Sequence, residues 1–527
     1  MKQKALFITE SMTDLRCHLD LAMRLRDKLG IVFLVKAESL RRELWKKGFP
    51  SFAYTELLSD DVAHRVEEWW QENRTKPFEL LTYNGFTLWK LMEFERQLIL
   101  SDSFNSDLRS AVGLWASALP SELIEGNDGS PEQVTAALIC RTVGLIETFS
   151  RLMRFVQPSA AFVWNGLFLP TRACAEICSR HGVPTFFSEE GYFPNTMVVD
   201  PVGVNASSIL GTPAWEKIAK REPEEQEVDR LKHFIRRYHA SGESRVKQSG
   251  EALKPGEVCA RLHIGDNEKI VLYPAQIDTD TNIILSSPVY PTNEMVIADL
   301  AKAAEAVPGA RIVVKLHPRD KDREREFAAV LGDRGCIVND IQLQSLLATA
   351  HVVAVRNSTV GIEALTYRLP VVTLGQSIYS GKGFTFDVEK REELADKLNL
   401  AISTGGLPEG SRSALDRFLI HMTQRYLYQL DEGDKTNSTN EAIESELLAS
   451  IDGSIGSKRE EILPIGQTRL MDLLKEQGPL LHRGRLRSPR LERVARKAAK
   501  WAPLQIAPEE IKELCRIPRD VGLAFGR

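Results

Sequence analysis

Short apolar segments alternate with amphipathic segments of helical periodicity along most of the chain. Strands that alternate with helices of roughly 10–15 residues are typical of βαβ units, whose strands form a parallel sheet. In the first 190 residues the predicted strands are 4–9, 31–35, 160–165 and 185–188, and the predicted helices include 14–29 and 171–181. This part of the chain is therefore predicted to be α/β.

A second alternating series follows a charged, helical connection at 214–255. Its predicted strands are 269–274, 311–316, 352–355 and 370–374, and its predicted helices are 294–307, 342–350, 359–368 and 389–403. Two α/β units of about 200 residues each predict two Rossmann-like domains that face a central cleft, with ligands at the carboxyl ends of the strands. We predict domains at 1–215 and 256–430, then a linker and a helical or basic extension at 431–527.

Composition narrows the class of protein further. The chain has 68 Lys and Arg against 72 Asp and Glu, a net charge of −4, which does not favour nucleic-acid binding. Its seven cysteines are scattered, without a CxxC pair, so a disulfide scaffold and a zinc ribbon are not expected and a reducing compartment is favoured. The N-terminus lacks a signal-peptide core, and no run of about 18 apolar residues suggests a membrane span. We therefore expect a cytoplasmic protein.

Polar clusters follow several predicted strands, and the first of these lies after 185–188. It contains Glu190 beside Gly191, with Asn205 a short distance further on. A carboxylate in this position is suited to acid/base chemistry, and the glycine would let the backbone approach a ligand closely.

The second cluster, YPAQIDTDTN, follows the strand 269–274 and includes Gln276. Asp278 and Asp280 form a D-x-D pair, which could bind Mg²⁺ or Mn²⁺. A carboxylate in this loop could equally be a covalent nucleophile. The residues alone leave both alternatives open.

Two further clusters carry groups suited to a nucleotide. Lys315 and His317 end the strand 311–316, where the histidine can donate to a phosphate. Ser358 and Thr359 lie where a strand ends and a helix begins, so hydroxyls and free amides there form a phosphate site. Glu363, one helical turn further, could hold ribose hydroxyls.

Four segments in order, FFSEEGYFPNTMVVDPVGVN, YPAQIDTDTNI, VVKLHP and RNSTVGIEALTYRLPVVTLG, resemble the motifs of the capsule polysaccharide biosynthesis (Kps-type) family. The resemblance covers roughly residues 155–385. It implies a GT-B fold and a retaining β-Kdo transferase, which moves 3-deoxy-D-manno-oct-2-ulosonic acid (Kdo) from CMP-Kdo to a glycan or glycolipid acceptor in capsule or lipopolysaccharide assembly. It implies no obligatory metal and no other cofactor.

The same resemblance assigns roles to individual residues. It implies that Glu190 is the catalytic base and that Asp280 is the position of a covalent Kdo intermediate. His317 and the pair Ser358 and Thr359 would hold the CMP phosphate, and Glu363 the ribose. Gln276, Lys315, Asn205 and Gly191 belong to the same motif segments and are assigned to substrate binding. Arg356 departs from the family pattern, because a small or apolar residue is expected before N-S-T.

Two other functions remain as alternatives. The E-E-G and H-P segments are also similar to bacterial sialyltransferases, in which Glu190 would be the base of an inverting transfer from CMP-sialic acid and Asp280 would be dispensable. A non-catalytic protein that binds glycan or export partners is the third hypothesis.

The C-terminal extension has no counterpart in the family motifs. Residues 481–500 contain eight Lys or Arg against one Glu, followed by Trp501. Each basic residue near an anionic leaflet contributes about 1 kcal/mol of binding, and Trp favours the membrane interface. We predict that this segment binds the inner-membrane surface or a membrane-bound partner, and a solvated helix or extension without a binding role is the alternative.

Overall fold

The computed structural model describes residues 2–57, 60–100, 119–120, 123, 130–245, 250–407, 409–430 and 438–454. The chain divides into two compact units: unit 1 comprises Met1–Glu189 with Glu444–Arg527, and unit 2 comprises Glu190–Ile443. The basic segment 481–500 lies outside the described residues.

Unit 1 is a parallel sheet with flanking helices. Its strands are β1 (Lys4–Thr9), β2 (Gly30–Val35), β3 (Ser51–Ala53), the hairpin pair β4 (Thr82–Tyr83) and β5 (Phe86–Thr87), β6 (Ala160–Trp164) and β7 (Thr185–Glu190). Its helices are α1 (Met12–Leu25), α2 (Glu38–Lys46), α3 (Tyr54–Leu57), α4 (Asp60–Asn73), α5 (Leu88–Leu100), α6 (Pro131–Val156) and α7 (Leu169–Arg180). The main strands are parallel in the order β7-β6-β1-β2-β3.

Aromatic residues hold the centre of this sheet together. Phe7 pairs in register with Phe33 and Phe162 on the neighbouring strands, and its ring stacks on both, at centroid distances of 5.1 and 4.4 Å. These strands are buried on both faces, which explains why they are almost continuously apolar.

Helix α6 crosses the core of unit 1. Pro131 occupies its first turn and the Ser130 side chain accepts a hydrogen bond from the Gln133 N–H, so the sequence specifies where the helix begins. Its middle is buried on all sides. The buried Glu147 is satisfied by the Tyr83 hydroxyl at 2.8 Å and the Asn84 amide at 3.2 Å.

Unit 2 contains a second parallel sheet, in the order β11-β10-β9-β12-β13-β14, and an antiparallel pair, β15 with β8. The strands are β8 (Thr196–Asp200), β9 (Lys269–Pro274), β10 (Ala310–Lys315), β11 (Gly335–Val338), β12 (Val352–Val355), β13 (Val371–Thr373), β14 (Phe386–Asp387) and β15 (Leu427–Gln429). The helices are α8 (Ala214–Ala219), α9 (Glu225–Ser241), α10 (Pro255–Arg261), α11 (Thr281–Ser286), α12 (Asn293–Ala306), α13 (Glu324–Leu331), α14 (Leu343–Thr349), α15 (Val360–Thr366), α16 (Leu394–Ser403) and α17 (Glu409–His421). A last helix, α18 (Ser438–Ser454), begins in unit 2 and continues into the part of the chain assigned to unit 1. A π-helical turn covers Met422–Tyr426.

The predicted α/β class and parallel sheets are confirmed in each unit. The units divide the chain after residues 189 and 443, whereas the predicted domains divided it near 215 and 256 and after 430. Residues 190–215 fall in unit 2, where β8 pairs with β15. The buried Asp200 carboxylate also joins this segment to the region of β15, because it accepts a hydrogen bond from the Tyr426 hydroxyl. The same carboxylate accepts from the Val202, Gly203 and Ile209 amides. Such long-range pairing carries no local sequence signal.

No helix within the described ranges combines the length and the apolar character needed to cross a bilayer.

Candidate functional site

A polar pocket in unit 2 lies at the carboxyl ends of β9, β10 and β12. It is lined by eight of the ten residues that the sequence assigns to the site: Asn205, Gln276, Asp280, Lys315, His317, Ser358, Thr359 and Glu363. Parallel strands end at one edge of their sheet, which is why side chains far apart in sequence meet here. The other two, Glu190 and Gly191, do not line the pocket but adjoin one of its residues, as described below.

Asp280 lies on the pocket side of the loop after β9. One of its oxygens accepts a hydrogen bond from the Asn282 N–H at 2.8 Å, so Asp280 is the N-cap of α11. The residue is exposed, in contrast to most of the loop before it. The cap fixes the carboxylate toward a site that a ligand can reach.

Asp278 has a different environment. One oxygen accepts from Arg356 at 2.8 Å and from the Asn293 N–H at 3.1 Å, and the other accepts from Arg323 at 3.0 Å. Both oxygens of Asp278 are therefore occupied by protein donors, and the carboxylate supports the loop.

Arg356 stands where the family pattern has a small or apolar residue, and its side chain is fully buried. Besides Asp278, its guanidinium donates to the Pro291 and Gln276 carbonyls and to the Asn293 side chain, at 3.1, 2.9 and 2.9 Å. A small residue could not make these bonds. Arg356 thus joins the end of β12 to the loop that follows β9.

Gln276 and Asn357 hold the same two segments together from the pocket side. The Gln276 side chain donates to the Asn357 side chain at 3.0 Å and accepts from the Asn357 N–H at 3.2 Å. Asn357 also donates to the Asn282 carbonyl at 2.7 Å. Gln276 is therefore a wall residue held in a fixed orientation.

Lys315 and His317 follow β10. Lys315 is buried and donates to the Asn339 carbonyl at 2.9 Å, and burial lowers its pKa to about 8. His317 is half-buried, and its Nδ1 accepts from the Arg319 N–H at 3.2 Å, so the neutral ring carries its proton on Nε2. Burial and the nearby Arg319 lower the pKa of His317, although Asp280 opposes this. A neutral N–H donor thus lies beside the Asp280 carboxylate.

Ser358 and Thr359 precede α15. The Ser358 side chain accepts from the Val360 N–H at 3.2 Å, and the Ser358 carbonyl accepts from the Tyr379 hydroxyl at 2.6 Å. Thr359 makes no capping hydrogen bond with its side chain. Both hydroxyls line the pocket.

Glu363 is 2% exposed yet reaches the pocket wall. Its carboxylate accepts from the Tyr238 hydroxyl on α9 at 2.7 Å. Burial raises the pKa of Glu363 to about 7, although Tyr238 and Arg245 act against that rise. Glu363 can therefore change its charge near neutral pH.

Glu190 adjoins the pocket through Arg245, which lines it and donates to Glu190 at 3.1 Å. Gly191 was expected to let backbone approach a ligand, but the structure gives another reason: an added Cβ would lie 2.0 Å from the Thr196 hydroxyl. Asn205 has a left-handed φ of 55° and accepts from Tyr192 at 3.3 Å.

Sequence reasoning missed Tyr238 and Arg245. Both belong to the charged connection 214–255, whose pattern indicates only an exposed helix. Their side chains reach the site because α9 ends beside the pocket. The position of that helix end is set by tertiary packing and carries no local sequence signal.

Taken together, the pocket offers hydroxyls, a neutral histidine donor and two cations on its walls, with one exposed carboxylate, Asp280. Hydroxyls, N–H donors and cations are groups suited to binding an anion such as a phosphate. Within the described residues no group of three or more His, Cys, Asp or Glu side chains is arranged to hold a metal ion.

The fold and the pocket define an α/β protein with a polar ligand site at the strand ends of a Rossmann-like unit. Residues 218–399 match the family model described as "Capsule polysaccharide biosynthesis protein", which confirms the predicted resemblance over that segment.

The chain is also similar to individual proteins. It is 30% identical to Protein FixF of Sinorhizobium fredii (strain NBRC 101917 / NGR234) over 258 residues, which are 47% of this chain and 55% of FixF. It is 33% identical to the capsule polysaccharide export protein KpsS of Escherichia coli over 85 residues, which are 14% of this chain and 21% of KpsS. The chain thus spans about half of FixF and about a fifth of KpsS.

Among solved structures, the chain is similar to the Thermosulfurimonas dismutans KpsC beta Kdo 2,7 transferase, with a TM-score of 0.38 and 20% identity. That match covers 57% of this chain and 89% of the KpsC chain.

Proposed function

We propose that the protein is a glycosyltransferase that transfers Kdo from CMP-Kdo, with retention of configuration, to a glycan or glycolipid acceptor. The observation that carries the proposal is the convergence of eight motif residues, from four separate segments, on one pocket in unit 2. The family match over residues 218–399 supports a role in capsule polysaccharide synthesis.

The pocket suits the CMP part of the donor. The Nε2–H of His317 and the hydroxyls of Ser358 and Thr359 would donate to the phosphate, because charge-assisted hydrogen bonds to an anion are the stronger kind. Glu363 would accept from the ribose hydroxyls. Its bond to Tyr238 uses one oxygen and leaves acceptor capacity on the other.

Asp280 is the proposed nucleophile of a double displacement. In the first step its carboxylate would attack the anomeric carbon of Kdo while the bond to the CMP phosphate breaks. In the second step Glu190 would take the proton of an acceptor hydroxyl, whose oxygen then displaces Asp280 from the same carbon. Two inversions retain the configuration, as in retaining glycosidases.

The proposal includes catalysis without an obligatory metal. Asp278 is bound to the guanidinium groups of Arg356 and Arg323, and these would have to be displaced before a D-x-D pair could bind a cation. The neutralisation of phosphate charge is assigned to Lys315 instead, and the neutral His317 would donate a hydrogen bond to the phosphate.

The experiment is incubation of the full chain with CMP-Kdo or with CMP-sialic acid, with and without EDTA, followed by detection of released CMP. Release from CMP-Kdo alone, insensitive to EDTA, is expected. Preference for CMP-sialic acid would favour the inverting alternative, and no release from either donor would favour the non-catalytic one. Loss of activity with EDTA would instead support a divalent cation bound by Asp278 and Asp280.

Retention through Asp280 needs a separate measurement. The intact mass of the protein after exposure to CMP-Kdo should increase by one Kdo, and peptide mapping should place the adduct on Asp280. Asp280→Asn should abolish both adduct and transfer. A fully active Asp280→Asn variant would exclude Asp280 as the nucleophile.

A further inference from the structure

Arg245 lies on a wall of the pocket and has no part in the steps described above. It follows the end of α9, where Gly242 adopts a left-handed φ of 64° and the helix stops. The chain then turns so that Ser244 and Arg245 line the pocket, while Tyr238, in the last turns of the same helix, contacts Glu363.

The guanidinium of Arg245 lies near two carboxylates. It donates to Glu190 at 3.1 Å, and the exposed fractions of the two side chains are 26% and 47%. It also acts electrostatically on Glu363, favouring the ionised form. The guanidinium of Arg245, one terminal nitrogen of which donates to Glu190, therefore lies on the wall of a ligand pocket.

We propose that Arg245 binds the carboxylate of the donor sugar and so selects donors whose anomeric carbon carries a carboxylate. The inference rests on the proposed function and names a specificity residue for it. Guanidinium is the cation best matched to a carboxylate, because two parallel N–H groups can meet its two oxygens.

The arrangement of the pocket assigns the two anionic groups of such a donor to different walls. In CMP-Kdo the phosphate oxygen and the carboxylate are both attached to the anomeric carbon. His317 and Lys315 come from the end of β10, and Ser358 from the end of β12. Arg245 comes from the segment after α9, so binding of both anions would hold the anomeric carbon between these groups, in the pocket that Asp280 also lines.

A consequence for Glu190 follows. When the sugar carboxylate takes the guanidinium fork of Arg245, the ion pair between Arg245 and Glu190 is broken. Donor binding would thus change the electrostatic environment of the proposed base before the acceptor reacts.

The test is calorimetric titration of the full chain with CMP and, separately, with CMP-Kdo in the absence of acceptor. For the CMP-Kdo titrations every protein also carries Asp280→Asn, which prevents the covalent adduct, and transfer is measured with Asp280 present. Arg245→Gln should weaken CMP-Kdo binding by roughly tenfold to a hundredfold, the usual effect of a lost charge-assisted hydrogen bond, while CMP affinity stays within about twofold. The CMP-Kdo affinity of Arg245→Lys should lie between those of the protein with Arg245 and of Arg245→Gln, because lysine keeps the charge but cannot offer two parallel N–H groups. The retained CMP binding also shows that the variants are folded.

Two further variants serve as controls. Arg261→Gln removes an exposed arginine of unit 2 that pairs with Glu251 and Asp340 outside the pocket, and it should bind both ligands like the wild type. Glu190→Gln should bind CMP-Kdo normally and lose transfer.

Each contrary result has a distinct meaning. Equal weakening of CMP and CMP-Kdo by Arg245→Gln would show that Arg245 binds the phosphate, and the inference would be wrong. Normal CMP-Kdo binding with lost transfer, as in Glu190→Gln, would show that Arg245 only positions Glu190. If the protein with Arg245 intact binds CMP but not CMP-Kdo, the proposed function and this inference are both wrong.

Discussion

Asp278 and Asp280 are two residues apart, yet their carboxylates have opposite surroundings. Asp278 binds the fully buried Arg356, whereas Asp280 is exposed and caps a helix. Removal of one partner from a buried ion pair is costly, because the other charge remains without compensation.

Substitution of Asp278 should therefore affect mainly stability, and substitution of Asp280 should affect mainly activity. Asp278→Ala is expected to lower the free energy of unfolding by roughly 3 kcal/mol, because Arg356 stays buried. Asp280→Ala should cost only about 1 kcal/mol, the value of an N-cap, but should abolish transfer. Urea unfolding and CMP release measure the two effects. Equal destabilisation by both substitutions would contradict the assigned roles.

The raised pKa of Glu363 predicts that the stability of the protein depends on pH. Its pKa in the folded protein is raised to about 7 from an ordinary value of 4.5. The folded state therefore holds this proton more tightly than the unfolded state. The resulting stabilisation is complete below about pH 4.5 and is lost as the pH rises through about 7.

Comparison with Glu363→Gln isolates this effect, because glutamine can still accept from Tyr238 and does not titrate. Between pH 4.5 and 7.5 the wild type should lose stability relative to the variant, by at most about 3 kcal/mol, since one pKa unit corresponds to about 1.4 kcal/mol. Unfolding in urea at several pH values measures the difference. A difference that does not change with pH would show that Glu363 has the same pKa in the folded and unfolded states.

At the scale of elements, the turn between β7 and β8 depends on close backbone approach. The Gly191 N–H donates to the Thr196 carbonyl at 2.8 Å, and a Cβ at 191 would lie 2.8 Å from the Thr196 carbonyl carbon. Backbone atoms cannot move aside as a flexible side chain can, so a larger residue would displace one strand end.

Gly191→Ala should therefore lower the free energy of unfolding by about 1–3 kcal/mol, the usual cost of overpacking. Gly256, in the first turn of α10, has nothing within 4 Å of an added Cβ. Gly256→Ala should be neutral or stabilising by up to about 1 kcal/mol. Thermal unfolding of both variants provides the comparison. A neutral Gly191→Ala would mean that this turn is looser than the structure indicates.

At the scale of the whole molecule, the basic segment 481–500 remains a prediction, since it lies outside the described residues. A lipid-linked acceptor would require the enzyme to work at a membrane surface, and eight basic residues favour an anionic one. Full-length protein should float with anionic vesicles, most strongly at low salt, and truncation near residue 470 should abolish this. Equal flotation of the two forms would exclude the tail as the binding element.

The sequence by itself determined the two α/β series and the position of each motif at the end of a strand. Strand and helix periodicity are local properties, and parallel strands bring their carboxyl ends to one edge, so the convergence of Asp280, His317 and Ser358 could be predicted from the order of elements. The bounds of β1, β9 and β12 agree with the prediction for the same reason.

Only the tertiary structure decided what each side chain does there. Arg356 and Asp278 are 78 residues apart, and no local pattern shows that one is buried against the other. Tyr238 and Arg245 belong to a segment whose composition indicates an exposed connection, and β8 joins unit 2 through a partner more than 200 residues away. Burial and long-range hydrogen bonds are properties of the packed chain, because they depend on which surfaces meet after the local elements have formed.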